Sequence, residues 1–221
     1  MAYSITDRQL YNSMQYTLLE TPNNGASYGS GLYTAAEVAS RTNQRLDLFN
    51  KLTAIHAKNN VTDAVTANVR NQTLTNLVDL VDMLEVSYKP TSTWNVLPPG
   101  SATEADSFLG DQVGSDAAQS LPFFYAIEVA PLLEICLYPP PSSAGTLRMA
   151  YVPTLDNLST TPDGTTIRLP DDFTPFIKFG VLADLFNKSG EAYDPVRAQL
   201  CEALFQLGVQ TAQSWVSGEQ V

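Results

Sequence analysis

The chain holds few residues able to do bond-making chemistry. Its single histidine is His56, and its two cysteines are Cys136 and Cys201. Carboxylates stand close together at Asp79/Asp82 and at Asp171/Asp172. Two neighbouring carboxylates can divide acid and base roles when their surroundings push their pKa values apart. Each pair here has a plainer reading. Asp171 and Asp172 precede an apolar helical run and suit the free amides of a helix start. Asp79 and Asp82 form the polar rim of an amphipathic segment. A serine hydrolase would need a Gly-x-Ser-x-Gly elbow with a histidine base, and the chain has no such elbow. The glycine loops that cradle phosphates, Walker or dinucleotide in type, are missing too. The cysteines have neither a Cys-x-x-Cys partner nor a histidine cluster, so a metal is not expected. A disulfide between them stays open, and two buried free thiols is the preferred reading. His56 is read into the last turn of a helix, where a cation meets the carbonyl end of the dipole, a structural role. The expectation is a protein with no catalytic residue, no cofactor and no metal. Carboxylates far apart in a chain can still assemble a glycosidase or a metal-dependent nuclease. Nothing in this sequence invites either.

The 221 residues suffice for one large domain or two small ones. Hydrophobic residues, at 44%, are ordinary, but charged residues make up only 16%, against about 25% in typical soluble proteins. Ser, Thr, Asn and Gln fill the gap. A surface so short of charge suits a subunit covered by neighbours better than a free monomer. The formal net charge of −11 argues against tight nucleic-acid binding, which needs a surplus of Lys and Arg over the phosphates. It is compatible with nucleic acid that passes without being gripped, and equally with a charge that only aids solubility. No run is long enough to span a membrane, and no basic-then-apolar leader opens the chain, so export is not expected.

The elements that position these residues follow from patterning. Thr6 and Gln9 form a capping box with Ile5 stapled to Leu10, which predicts a helix to about Leu19. The stretch from Thr21 to Gly31 is turn-rich and carries no packing signal. Thr34 and Glu37 repeat the box with Tyr33 stapled to Val38, and the second helix is expected to end near Asn59-Asn60. Its arginines, Arg41 and Arg45, point to solvent or to an acidic neighbour. From Val61 the composition suits strands and turns. Leu77 to Leu84 reads as a short helix or a buried strand, and Glu85 to Tyr88 as a strand. Trp94 to Gly100 is expected to be loop, Thr103 to Leu109 a short helix, and Gly110 to Ser120 a polar loop. Phe124 to Val129, Leu132 to Tyr138 and Thr146 to Val152 are three predicted strands. In the last of these Leu147, Met149 and Tyr151 alternate with Arg148, Ala150 and Val152.

Leu169 to Trp215 reads as a helical hairpin. Phe173, Phe176, Ile177, Val181, Leu182, Leu185 and Phe186 cover more than one face of its first helix, so two-sided burial is expected. Gly190 ends that helix, and Asp194-Pro195 starts the next as N-cap and first-turn proline. Val196, Leu200, Ala203, Leu204, Leu207 and Val209 are read as the apolar stripe of the second helix, with Gln199, Gln206, Gln210 and Gln213 on its other face. That glutamine face either packs on another protein surface or is simply polar and exposed. The fold class is α+β. N- and C-terminal helices are expected to form a helical bundle (residues 1–60 and 169–221), with an antiparallel β-rich region (61–168) inserted between them.

Three blocks carry a family likeness: ITDRQLYNSMQYTLLE followed by GLYTAAEVASRTNQRLDLF, then PPPSSAGTLRMAYVPTLDNL, then LPDDFTPFIKFGVLADLFNKSGEAYDPVRAQLCEALFQLGV. In this order they resemble the head-to-tail adaptor (connector) proteins of the necks of tailed bacteriophages. The resemblance implies a structural virion protein without enzymatic activity, made in the host cytoplasm and placed between capsid and tail. It implies a ring of identical subunits, usually twelve, docked beneath the phage portal protein and extending the DNA channel. DNA would pass through without specific binding, tail or tail-tube proteins would attach below, and no membrane is involved. Helical parts would pack between subunits and against the portal. In this sequence that puts Phe205, Gln206, Val209, Gln210, Gln213 and Trp215 at an oligomer or portal interface. A tail terminator or tail-tube subunit at the same junction is the alternative, and a virion-associated hydrolase a more distant one. The loops at Thr21 to Gly31 and Gly110 to Ser120 are candidates for reordering on assembly.

Overall fold

A computed structural model describes residues 2–77, 79–101, 120–128, 134–155 and 157–218. Contacts divide the chain into two compact units, Met1–Ile55 with Thr154–Val221, and His56–Pro153. The first is helical, with α1 (Asp7–Thr17), α2 (Ala35–Thr53), α3 (Thr174–Phe186) and α4 (Pro195–Ser217). The second holds β1 (Lys58–Val65), β2 (Asn71–Thr73), β3 (Leu80–Lys89), β4 (Asn95–Leu97), β5 (Phe124–Glu128), β6 (Glu134–Tyr138) and β7 (Gly145–Pro153).

In the helical unit the start of α1 is as its sequence predicts. Thr6 Oγ1 accepts from the Gln9 amide at 3.3 Å, and Gln9 Oε1 accepts from the Thr6 amide at 2.8 Å. The box on α2 closes only halfway. Thr34 accepts from the Glu37 amide, but the Glu37 carboxylate takes Lys188 Nζ at 2.7 Å instead of reaching back. A partner that is itself charged outcompetes the neutral backbone amide for that carboxylate. Helix α2 ends at Thr53 with Ala54 left-handed, short of Asn59-Asn60, because Lys58 onward is drawn into β1. His56 thus lies beyond the helix, and the dipole role expected for it does not apply.

The start of α3 is a second correction. Its N-cap is Phe173, with no side-chain cap bond. Asp171 instead binds the beginning of the chain: it accepts from the Ser4 amide at 2.8 Å, from the Ser4 hydroxyl, and from the Ile5 amide at 3.0 Å. The Asp171 amide donates to the Ala2 carbonyl. The Thr21 to Gly31 stretch is also packed, contrary to expectation. Buried Gln15 accepts from the amides of Asn23 and Gly25 and donates to Asn23 Oδ1 and the Ser27 carbonyl. Glu20 accepts from the amides of Gly29 and Ser30, and Tyr28 enters the core. A single fully buried amide side chain thus organises a loop whose own composition carries no packing signal.

The core of this unit draws on all four helices: Leu10 and Met14, Val38 and Phe49, Ile177 and Val181, Phe205 and Val209. Between α3 and α4 the fit is reciprocal. A Cβ on Gly208 would meet Phe176 Cγ at 2.2 Å, and one on Gly180 would meet the Phe205 ring at 2.7 Å. Each helix therefore receives the other's phenylalanine over its own glycine. Arg45 of α2 covers the joint, its guanidinium 4.9 Å from the Phe205 centroid and in ion pairs with Asp184 at 2.6 Å and Glu202 at 2.8 Å.

The β unit has two antiparallel sheets, ordered β1-β7-β3-β4 and β2-β6-β5. Leu147, Met149 and Tyr151 point inward as predicted and meet Val86, Tyr88, Ile135 and Leu137 in one core. Val152 is also buried, so the alternation stops at the strand's end. Leu80 to Leu84 is the first half of β3, which resolves the helix-or-strand ambiguity; its pairing to β7 runs through register shifts that a strand absorbs and a helix cannot. Within the expected Trp94 to Gly100 loop, Asn95–Leu97 pairs with β3 as β4. The expected helix at Thr103 to Leu109, Gly110 to Gln119, Val129, and the beginning of the predicted Leu132 strand lie outside the described residues.

Two stability tests follow. Gly208→Ala should lower the unfolding free energy, measured by urea denaturation, by about 1–2 kcal/mol, because overpacking at the Phe176 contact exceeds the helix propensity gained. The bonds from Ser4, then Ile5, hold the Asp171 carboxyl below its ordinary value of 3.8. Such a group contributes its stability in full above the ordinary value and loses it as pH falls through the depressed one. Asp171→Asn should therefore lower Tm near neutral pH, and circular dichroism melts should show that deficit shrinking as pH falls below 3.8.

Candidate interaction surface

Helix α4 carries apolar residues on two sides. The inner side is made of Ala198, Cys201, Phe205, Gly208, Val209 and Ala212, all buried. The outer side shows Val196 at 76%, Leu200 at 61% and Leu207 at 52% exposure. This corrects the predicted stripe. Of its six residues only Val209 is buried, Leu204 is half-buried, and Val196, Leu200, Ala203 and Leu207 are exposed. The reason lies in the Gly–Phe joint. Small inner residues let α4 lie close to α3, so the helix spends alanines, a cysteine and a glycine on its own core and turns leucines outward.

Val196, Leu200, Ala203, Leu207, Gln210 and Ser214 are separated by alternating steps of four and three. That is the seam spacing of a helix that meets another helix. A second set with the same rhythm, through Ala198, Cys201, Phe205, Gly208 and Ala212, is the buried one. Two interleaved seams are the signal that a single-stripe reading passes over. The 19 residues from Val196 to Ser214 span about 27 Å of helix.

The six residues expected at an interface divide accordingly. Phe205 is fully buried against Phe49, with centroids 6.2 Å apart, and Val209 is in the same core. Both side chains are committed within the chain. Gln206 is exposed and donates to Glu202 at 2.8 Å. Gln210 is exposed. Gln213 is exposed and donates to the Leu52 carbonyl at 2.8 Å. Trp215 is 51% exposed, its ring 6.3 Å from Phe173. Glutamines 199, 206 and 213 recur every seven residues along one flank of the outer seam. The nearby charges are taken: Arg197 pairs with Asp194, and Glu202 with Arg45. The outer seam is uncharged throughout and apolar from Val196 to Leu207, the composition of a surface that another protein covers.

Of each carboxylate pair singled out for chemistry, one member holds structural bonds, while Asp82 and Asp172 are exposed. Asp79 accepts from Lys58 at 2.6 Å and from the Tyr151 hydroxyl at 2.8 Å. Its burial would raise the carboxyl's pKa, but those two partners outweigh it and hold the group below its ordinary range. Asp171 is bound to Ser4 and Ile5 as above. Cys136 and Cys201 are buried thiols not joined in a disulfide, the preferred reading, and Cys136 donates to Asn71 Oδ1 at 3.4 Å. Among the described residues no grouping of three or more His, Cys, Asp and Glu could hold a metal ion, and no helix is long and apolar enough to cross a membrane.

Among curated proteins none matches this chain. A family model described as SU10 adaptor protein matches residues 32–220, from the residues just before α2 to beyond α4. It takes in the second and third blocks of likeness and the helix that carries the seam. The chain thus belongs to the SU10 adaptor protein family, a family of phage head-to-tail adaptors.

Proposed function

We propose that this protein is a ring-forming subunit that docks beneath the portal, extends the DNA channel and offers the surface on which the tail is built. The observation that carries this reading is the outer seam of α4. A helix that has already filled its own core still presents Val196, Leu200 and Leu207 to solvent, which in a free subunit wastes apolar area that a neighbour would bury. We assign this seam, Gln210 included, with Gln206, Gln213 and Trp215 beside it, to contact with a sister subunit or the portal. Phe205 and Val209 support the seam from within. A closed ring needs two different surfaces on every subunit, and one is enough to carry the test.

The net charge of −11 supports a channel role. Acidic walls repel phosphates and let DNA slide instead of binding it. The family's structural character speaks against catalysis, and Asp79 and Asp171 are engaged in holding the fold.

The test is assembly on purified portal rings, followed by electron microscopy and mass measurement. The native chain should add a ring below the portal. Leu200→Glu with Leu207→Glu should leave Tm nearly unchanged, since both positions are exposed. It should weaken assembly by roughly 30-fold for each leucine, from about 2 kcal/mol of lost burial. Equal assembly by the double variant would remove the seam from the interface. Association with tail tubes and not with portals would favour the tail-terminator role.

A further inference from the structure

Ser4, Ile5, Gln9, Leu10, Ser13 and the first turn of α3 enclose an open cleft in the helical unit, lined on that turn by Thr174, Pro175 and Lys178. Its polar groups are donors. Lys178 Nζ donates to Ser13 Oγ at 3.2 Å, which leaves the Ser13 O–H free to donate in turn. Gln9 uses its oxygen on Thr6, and its NH2 group makes no hydrogen bond among the described residues. Thr174 is 3% exposed, and its Oγ1 has no hydrogen-bond partner among the described residues. The site also stands at the amino end of α3, whose N-cap makes no side-chain cap bond, so the positive end of the helix dipole faces it.

Arg45, Lys58, Arg148, Lys188 and Arg197 each lie within ion-pair distance of a carboxylate. Among the described residues Lys178, half-buried, meets a hydroxyl and the Phe179 ring and no carboxylate within ion-pair distance. Lys89 is half-buried without a carboxylate among them too, over the Trp94 ring; what sets Lys178 apart is that it lines a cleft of donors. Asp171, bonded to Ser4 at that end of the cleft, has its oxygens already taken by Ser4 and Ile5.

We infer that this cleft is a receptor for an aspartate or glutamate side chain presented by a partner polypeptide. Its donors, Lys178, Ser13, Gln9 and Thr174, match a carboxylate's acceptors. Ile5, Leu10 and Pro175 give apolar walls for the flanking peptide. One amine among neutral donors suits a single carboxylate. A phosphodiester chain would need several cations, which this chain lacks here. The inference does not depend on ring formation or on the outer seam of α4.

The test uses the full chain, labelled for NMR and titrated with the blocked dipeptide N-acetyl-leucyl-aspartyl-amide. The asparaginyl counterpart and inorganic phosphate serve as comparisons. Amide signals of Ser13, Thr174 and Lys178 should move saturably with the aspartyl probe, with an affinity at least about tenfold above that for the asparaginyl one. Lys178→Gln should abolish that preference with the rest of the spectrum unchanged, and Thr174→Val should weaken it without touching the cation. Equal response to both dipeptides, no response, or a preference that survives Lys178→Gln would overturn the assignment. A saturable response to phosphate alone would replace the acidic peptide with a phosphate group.

Discussion

The helical unit depends on one steric fit, the exchange of phenylalanines over glycines between α3 and α4. Phe176 lies on Gly208 and Phe205 on Gly180, so the two helices approach more closely than side chains at those positions would permit. Close approach sets what each helix can bury. On α4 the inner side becomes a strip of Ala198, Cys201, Gly208 and Ala212 around Phe205, and its larger aliphatic residues are left over for the outside. The exposed seam is thus the other side of the same constraint that makes the core dense.

Electrostatics reinforces that arrangement. Arg45, only 12% exposed, bridges Asp184 of α3 and Glu202 of α4 across the Phe205 ring. Three charges are brought together at the joint, where the guanidinium fork can satisfy both carboxylates. Glu202 is the only acidic residue along α4, and its pairing with Arg45 draws that carboxylate to the joint instead of leaving it unpaired beside the seam. An uncharged apolar strip flanked by glutamines is costly for a solitary protein and inexpensive to desolvate for one that assembles. The adaptor family and the physics of this helix point the same way.

Much of the architecture is legible in the sequence because it rests on local rules. The Thr6–Gln9 box, the Asp194-Pro195 start, the β7 alternation and the buried thiols each follow from short-range patterning. The failures are tertiary, and two of the three are long-range. Asp171 is a plausible cap until Ser4 and Ile5 compete for it from more than 160 residues away. Glu37 is half of a capping box until Lys188 arrives. The loop after α1 reads as unpacked because its organiser, Gln15, lies in the helix before it. In the first two cases a distant partner outcompetes the local one and no window of sequence contains both. In the third the organiser stands only eight to ten residues away, but on the buried face of a helix that the loop's own composition does not report.

The amino-acid sequence by itself determined the fold class, the position of most elements, the absence of recognisable catalytic motifs and the family likeness. These are encoded in period, turn chemistry and block order, all readable along one dimension. Which side of α4 faces inward was decided only by the tertiary structure. Both sides carry apolar residues at helical spacing, so periodicity ranks the larger Val196, Leu200 and Leu207 as core. Only the glycine-permitted approach of α3 reverses that ranking, because burial is set by how near a neighbour can come and not by hydrophobicity alone.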